Sequence, residues 1–300
     1  MTMSNDQPVI IEVAINGETP KERNPNVPRT PDEIGTDALA CVEAGAAIIH
    51  GHADDLNVTG KAAADRYTEG WAKVRAARPD AIIYPTVVRS DDQAERFAHL
   101  PFLAETGMAQ MASLDPGTTN LAIIGPQGLP IRDFIYVNSY SEIGYAFDIF
   151  SKLGLGASMA LYDPSYCRAV IAWHRAGKLP KGSFTKFYFA GGYDFMTGKP
   201  GGINFGFSPT EKALDAYVEM LDGTGLPWAA AVLGGDLVGC GLARHVLERG
   251  GQLRIGLEDY VGPDNPTNLD LLSAAVALCA EVGRPVATPD QAREILGMTP

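Results

Sequence analysis

Residues 30–52, TPDEIGTDALACVEAGAAIIHGH, contain one complete folding unit. Thr30 suits a helix N-cap, Pro31 the first helical position, and Glu33 can reach back to the capping residue. Ile34, Leu39 and Val42, with alanines between them, make one helical face before Gly45 ends it. A short apolar run follows and ends in His50-Gly51-His52. The order is helix, turn, strand.

Outward from this unit the pattern repeats. Strand-like apolar runs occur at VIIEVAIN (9–16), AAIIHGH (46–52), AIIYPTVV (81–88) and MAQMASL (108–114). They continue at GASMALY (156–162), FTKFYFA (184–190), PWAAAVL (227–233) and QLRIGLE (252–258). Short apolar runs alternating with helical patterns indicate parallel strands buried on both faces. Eight runs in 300 residues give about 37 residues per unit, which fits an α/β fold of the (β/α)8 TIM-barrel type. Ser208-Pro209-Thr210-Glu211 and Thr288-Pro289-Asp290-Gln291 repeat the helix-start chemistry, and the second predicts a C-terminal helical tail over about 289–297. No charged linker divides the chain, so residues 1–300 are read as one barrel domain. The least regular stretches, 115–134 and 191–207, follow predicted strands and so belong at the C-terminal face, where barrel active sites are built. GKPGG within the second lacks the GxxxxGK[ST] frame of a phosphate loop and is read as an ordinary loop or a lid.

Composition narrows the function. Twenty-four basic against thirty-six acidic residues give a net charge of −12, with no Lys/Arg-rich run. That balance argues against nucleic acid and anionic membrane surfaces as partners. No stretch offers the ~20 unbroken apolar residues of a membrane helix, and MTMSNDQP has neither the basic nor the apolar region of a signal peptide. Cys41, Cys167, Cys240 and Cys279 lie far apart and are expected to be buried small hydrophobes in a reducing compartment. A cytoplasmic enzyme is the expectation.

The chemistry gathers at two strand ends. In a strand, residues two apart share a face, so His50 and His52 project together into the barrel mouth. Two imidazoles are half of a common zinc site, and the alternative is a structural, hydrogen-bonding pair. Arg254, Gly256 and Glu258 share one parity on the last strand, with Asp259 opening the following loop. Strands two and eight can feed the same interior layer, so His50, His52 and Glu258 could converge on one cation. In isolation Glu258-Asp259 also reads as a helix-capping pair, and Arg254 as half of a buried ion pair. Its functional alternative is to orient Asp259 or to hold a substrate carboxylate in bidentate fashion. His99, His174 and His245 fall in predicted helices and are expected at the surface.

The segments VAINGETPKERNPNVPRTPDEI, ALACVEAGAAIIHGHADD, ASLDPGTTN, RIGLEDY and EVGRPVATPDQAREILG together resemble the β-keto acid cleavage enzyme family, from the first strand to the C-terminus. The resemblance implies a TIM barrel with one Zn2+ held by His50, His52 and Glu258. It implies an Asp259 base supported by Arg254, with Glu18 and Thr118 as substrate contacts. The implied reaction is cleavage of a β-keto acid with acetyl-CoA, giving acetoacetate and a new CoA thioester. A homo-oligomer, a tetramer, is implied as well. The sequence departs from the family pattern at three places. His50-Gly51-His52-Ala53-Asp54 lacks the family's arginine, and Pro85-Thr86-Val87-Val88 replaces a Ser-Thr-Gly-Gly turn that holds the substrate carboxylate. Gly234-Gly235-Asp236-Leu237 stands where an arginine and an aromatic or histidine are usual. Thr86 and Arg89 are candidates to take over carboxylate binding. Two other functions fit the same residues: a metal-dependent aldolase or lyase acting without CoA, and an inactive barrel that binds a small carboxylate or CoA ester.

Overall fold

A computed structural model of the chain describes residues 7–125 and 127–298. Eight parallel strands form one sheet that curves into a (β/α)8 barrel. The first four are β1 (Ile11–Ala14), β2 (Ile48–Gly51), β3 (Ile82–Pro85) and β4 (Met111–Leu114). An antiparallel hairpin, β5 (Thr119–Ile124) and β6 (Pro130–Tyr136), comes next. The barrel resumes with β7 (Gly156–Leu161), β8 (Phe184–Ala190), β9 (Trp228–Leu233) and β10 (Gln252–Ile255). The hydrogen-bonded order is β3-β2-β1-β10-β9-β8-β7-β4. At the seam, the Gln110 backbone N–H donates to the Ile83 carbonyl at 3.1 Å and the Ile83 N–H to the Gln110 side-chain oxygen at 3.0 Å.

Helices cover the outside of the barrel. They are α1 (Pro31–Glu43), α2 (Gly60–Ala77), α3 (Gln93–Arg96), α4 (Leu100–Glu105) and α5 (Tyr140–Leu153), then α6 (Pro164–Arg175), α7 (Glu211–Leu221), α8 (Leu242–Glu248), α9 (Asn268–Val282) and α10 (Pro289–Leu296). Thr30 and Thr288 close the capping boxes that the sequence announces. At the third such motif the helix starts two residues later than Ser208 implies. Thr210 is the cap and accepts from the Ala213 N–H, so Pro209 lies outside α7.

Inside the barrel the side chains are layered. The floor is apolar: Ile10, Ile48, Ile82, Met111 and Phe184 pack with Ala292 and Leu296 of α10, which thereby closes the N-terminal end. Above it sits a polar layer of Glu12, Tyr84, Ser158, Lys186 and Arg254, all buried. The mouth lies above that layer.

Four sequence expectations need correction. Residues 115–134 are not irregular, since β5 and most of β6 fall there; the pairing was obscured because β6 is solvent-facing and carries no inward apolar alternation. The last barrel strand stops at Ile255 rather than running to Glu258. Cys41, Cys167 and Cys279 are buried, but Cys240 is exposed, because it lies in the turn before α8 rather than on a helix face. His99 is fully buried at the head of α4, where its Nε2 lies 3.1 Å from the Thr86 carbonyl; His174 and His245 are half-buried on α6 and α8.

Candidate active site

The polypeptide turns sharply where β10 ends, and that turn builds the site. Gly256 has φ 131°, and a Cβ there would lie 2.2 Å from the Ala14 carbonyl oxygen, so only glycine lets the chain pass β1 this closely. The Glu258 N–H then donates to the Ala14 carbonyl at 3.1 Å, and the Gly234 N–H to the Asp259 carbonyl at 2.9 Å. Glu258 is thus aimed by a turn clamped between β1 and β9, not by strand parity. Gly17, with φ 52°, packs against it; a Cβ there would meet the Glu258 Cγ at 2.5 Å.

His50 lies one residue before the end of β2 with its Nδ1 3.3 Å from the Tyr84 carbonyl, which fixes the ring and leaves Nε2 facing the mouth. His52 follows the strand, its N–H donating to Asn16 Oδ1 at 2.8 Å while Asn16 Nδ2 donates to the His52 carbonyl at 3.0 Å. The two rings stand edge to face, 5.3 Å between centroids. His50 Nε2 is 3.2 Å and His52 Nε2 3.6 Å from the Glu258 carboxylate. One donor atom from each of the three lies within 4.8 Å of the other two.

These residues fit a divalent metal ion. Two imidazoles and a carboxylate are a zinc-type donor set with room for further ligands. Buried atoms of the same residues also lack partners: neither Glu258 Oε2 nor His52 Nδ1 has a hydrogen bond. Burial pushes His50 down to about 4, so its ring is neutral near pH 7 and able to donate a lone pair. Burial alone would raise Glu258, but neighbouring charges outweigh it and hold the carboxyl well below 4.5. With His50 neutral, that work falls on Arg254, whose Nη2 is 3.0 Å from Glu258 Oε1.

Arg254 is the hub of the layer below. Its Nε donates to Asp259 Oδ2 at 2.8 Å and its Nη2 to Asp259 Oδ1 at 3.3 Å, a two-point grip. Its Nη1 donates to Glu12 Oε1 at 2.6 Å. Burial raises Asp259 to about 6 against the opposing pull of Arg254, with Glu258 adding to the rise. Lys186 completes the layer, donating to Glu12, Tyr84 and Ser158 at 2.9, 2.8 and 2.6 Å. Glu12 is held down to about 2 because Lys186 and Arg254 outweigh its burial.

A cavity of about 1250 Å3 opens above these groups and is lined by His50, His52, Arg254, Glu258 and Asp259. Glu18 and Thr86 also line it, and Glu18 is ion-paired with Arg89. Thr118 is not among the lining residues; it hydrogen-bonds the Asn138 backbone at both N–H and C=O. Sequence reasoning passed over Glu12, Lys186, Asp115 and Arg96. Glu12 and Lys186 carried a usable signal, a charge inside an otherwise apolar strand run. Asp115, which accepts from the Tyr136 and Tyr162 hydroxyls at 2.6 and 3.2 Å, had none.

Fold and site together define a barrel enzyme with its chemistry at the C-terminal mouth. The profile of the beta-keto acid cleavage enzyme family matches residues 8–298, and the chain belongs to that family. It is 30% identical over 296 residues to the 3-keto-5-aminohexanoate cleavage enzyme of Acetoanaerobium sticklandii, covering 97% of this chain and 98% of that one. It is 32% identical over 303 residues to the 3-oxoadipate:acetyl-CoA acetyltransferase of Cupriavidus necator, covering 97% and 95%. Among solved structures, apo ObcA is similar with a TM-score of 0.68 and 20% identity, covering 91% of this chain and 66% of that one; this likeness speaks for the fold alone. Among the described residues, no helix is long and apolar enough to cross a membrane.

Proposed function

We infer that the protein cleaves a β-keto acid with acetyl-CoA, releasing acetoacetate and a new acyl-CoA, with zinc held by His50, His52 and Glu258. The observation that carries this is the junction of Glu258 and Asp259. One turn presents a carboxylate to the donor cluster and the next residue's carboxylate, gripped at both oxygens by Arg254, to the same cavity. A bound zinc ion would supply Lewis-acid polarisation of the keto acid's carbonyl oxygens.

Asp259 is suited to be the base. A carboxyl near 6 is mostly ionised at neutral pH yet basic enough to take the acidic proton between two carbonyl groups. Arg254 fixes its direction and leaves its outer lone pairs toward the cavity. The carbanion so formed attacks the thioester carbonyl of acetyl-CoA, and CoA passes to the original keto carbon of the adduct. Carbon–carbon cleavage then gives the new thioester, and the proton held by Asp259 returns to the acetoacetate carbanion. No net proton is consumed. Thr86, and Glu18 together with the Arg89 it is paired with, lie at the cavity wall and are assigned to substrate contact.

The test is a panel of β-keto acids incubated with acetyl-CoA and zinc-loaded protein, with acetoacetate measured. His50→Ala and Glu258→Gln should each lose the metal, read as zinc per chain, and turnover with it. If fully zinc-loaded protein leaves every keto acid untouched, the inference fails. Cleavage that proceeds equally without acetyl-CoA would identify an aldolase or lyase instead.

A further inference from the structure

Five cationic side chains line the cavity: Arg23, Arg89, Arg96, Lys186 and Arg254. Four are already engaged. Lys186 and Arg254 are consumed by Glu12, Glu258 and Asp259. Arg89 is paired with Glu18. Arg23 donates to the Phe195 carbonyl at 2.7 Å and to Thr19 Oγ1 at 2.6 Å. Arg96 differs. Like Arg23 it has no carboxylate within ion-pair distance among the described residues, but where the Arg23 guanidinium is held by two hydrogen bonds, that of Arg96 makes one, to the neutral Asn138 Oδ1 at 3.0 Å.

Its placement is fixed from both sides. The Arg96 carbonyl accepts from the Val88 N–H at 3.3 Å, which ties α3 to the turn leaving β3, two residues beyond Thr86. Asn138, which holds the guanidinium, is itself locked by Thr118: the Asn138 N–H donates to Thr118 Oγ1 at 3.1 Å, and that hydroxyl donates back to the Asn138 carbonyl at 3.2 Å. A held, half-buried guanidinium with unused donors, facing a cavity, is poised for a planar anion. Val87, Val88, Phe134 and Val137 line the same cavity and suit a methylene chain.

We propose that Arg96 reads a second carboxylate at the tail of the keto acid, so that the substrate class is a β-keto dicarboxylic acid. Thr118 and Asn138 act through Arg96 as positioning residues. An ammonium tail is less favoured because, apart from the solvent-exposed Asp91, the acids that line the cavity around Arg96 are committed. Glu18 is neutralised by Arg89, Asp115 accepts from two tyrosine hydroxyls, and Glu142 accepts from the Ser139 N–H in the cap of α5.

The proposal rests on the keto acid exchange inferred for this site, and the experiment separates the two. Zinc-loaded wild type, Arg96→Gln and Arg96→Lys are assayed with acetyl-CoA and three β-keto acids of equal chain length whose tails end in carboxylate, methyl or ammonium. The carboxylate tail should give the highest kcat/KM, and Arg96→Gln should lower that value roughly 10- to 100-fold, mainly through KM, while leaving the methyl tail within about twofold. Arg96→Lys should restore part of the loss. An equal loss on all three tails, or a rise in KM for acetyl-CoA alone, overturns the assignment. If wild type turns over none of them, the exchange reaction is wrong, and calorimetry of the saturated dicarboxylate against its monocarboxylate still decides Arg96. Tighter dicarboxylate binding that Arg96→Gln abolishes upholds it, and equal binding of the two overturns it.

Discussion

At the scale of single residues, the chemistry is set by how four buried charges share two layers. Glu12, Lys186 and Arg254 are almost without exposure, and Asp259 is 3% exposed, so each depends on its partners to remain ionised. Glu12 Oε1 alone accepts from Lys186, Arg254 and the Tyr84 hydroxyl. Lys186→Met would leave Glu12 with one cation instead of two and should cost about 3–5 kcal/mol, as breaking buried ion pairs does. Adding Glu12→Gln removes the stranded charge and should recover part of that loss. Urea unfolding of the two single variants and the double variant measures the coupling; strictly additive losses would show that the pair is not interacting. Lys186 was legible in FTKFYFA and Glu12 in VIIEVAIN as charges breaking apolar runs, but their pairing was not, because cross-barrel distance leaves no trace in spacing. The parity that aligned Arg254 with Glu258 led to the right neighbours for a different reason, since the strand ends at Ile255 and a glycine turn does the aiming.

Among elements, the turn after β10 and the α1–α9 contact make separable predictions. Gly256→Ala places a Cβ in collision with the Ala14 carbonyl and forces a conformation that L residues rarely adopt. Its relief must displace Glu258 and Asp259 together, so zinc content and turnover should fall in parallel; a variant that keeps full zinc would show that the turn does not aim Glu258. At α1, Asp37 Oδ2 accepts from Asn268 Nδ2 at 2.7 Å, and burial raises its carboxyl to about 6. Because the folded value lies above the unfolded one, this group favours the fold below about pH 4, and that contribution is lost as pH rises through 6. Asp37→Asn keeps an acceptor for Asn268 without the charge. It should match wild type near pH 4 and exceed it by ~1–2 kcal/mol near pH 7.5, read from urea melts at the two pH values. Helices of this kind were the most legible elements, since a cap, a proline and a glycine mark their ends chemically; the β5–β6 hairpin was the least, because exposed strands lack the burial pattern that betrays a strand.

Taken as a whole molecule, the barrel could be read from the eight apolar runs because each buried parallel strand must be apolar on both faces, while the mouth could be read only in part. A net charge of −12 gives no hint that five cations converge on one cavity, since composition averages over a surface that the fold sorts. That sorting has a consequence for stability. His50, His52 and Glu258 come from β2, the segment after it and the turn after β10, so a metal ion on all three would tie together parts of the chain about 200 residues apart in sequence. Metal that binds the folded state and not the unfolded chain adds RT ln(1 + [L]/Kd), or about 2.7 kcal/mol at a hundred times Kd. Adding zinc to chelator-stripped protein, to a hundred times Kd, should therefore raise Tm by about 5–10 °C, on a scale of ~2–4 °C per kcal/mol for chains approaching this length. The same addition to His50→Ala should leave Tm unchanged, because two donors remain and the buried Glu258 oxygen still lacks its partner. Differential scanning calorimetry across a zinc titration makes the comparison. A wild-type Tm that ignores zinc, or an equal rise in His50→Ala, would place the metal somewhere other than this cluster.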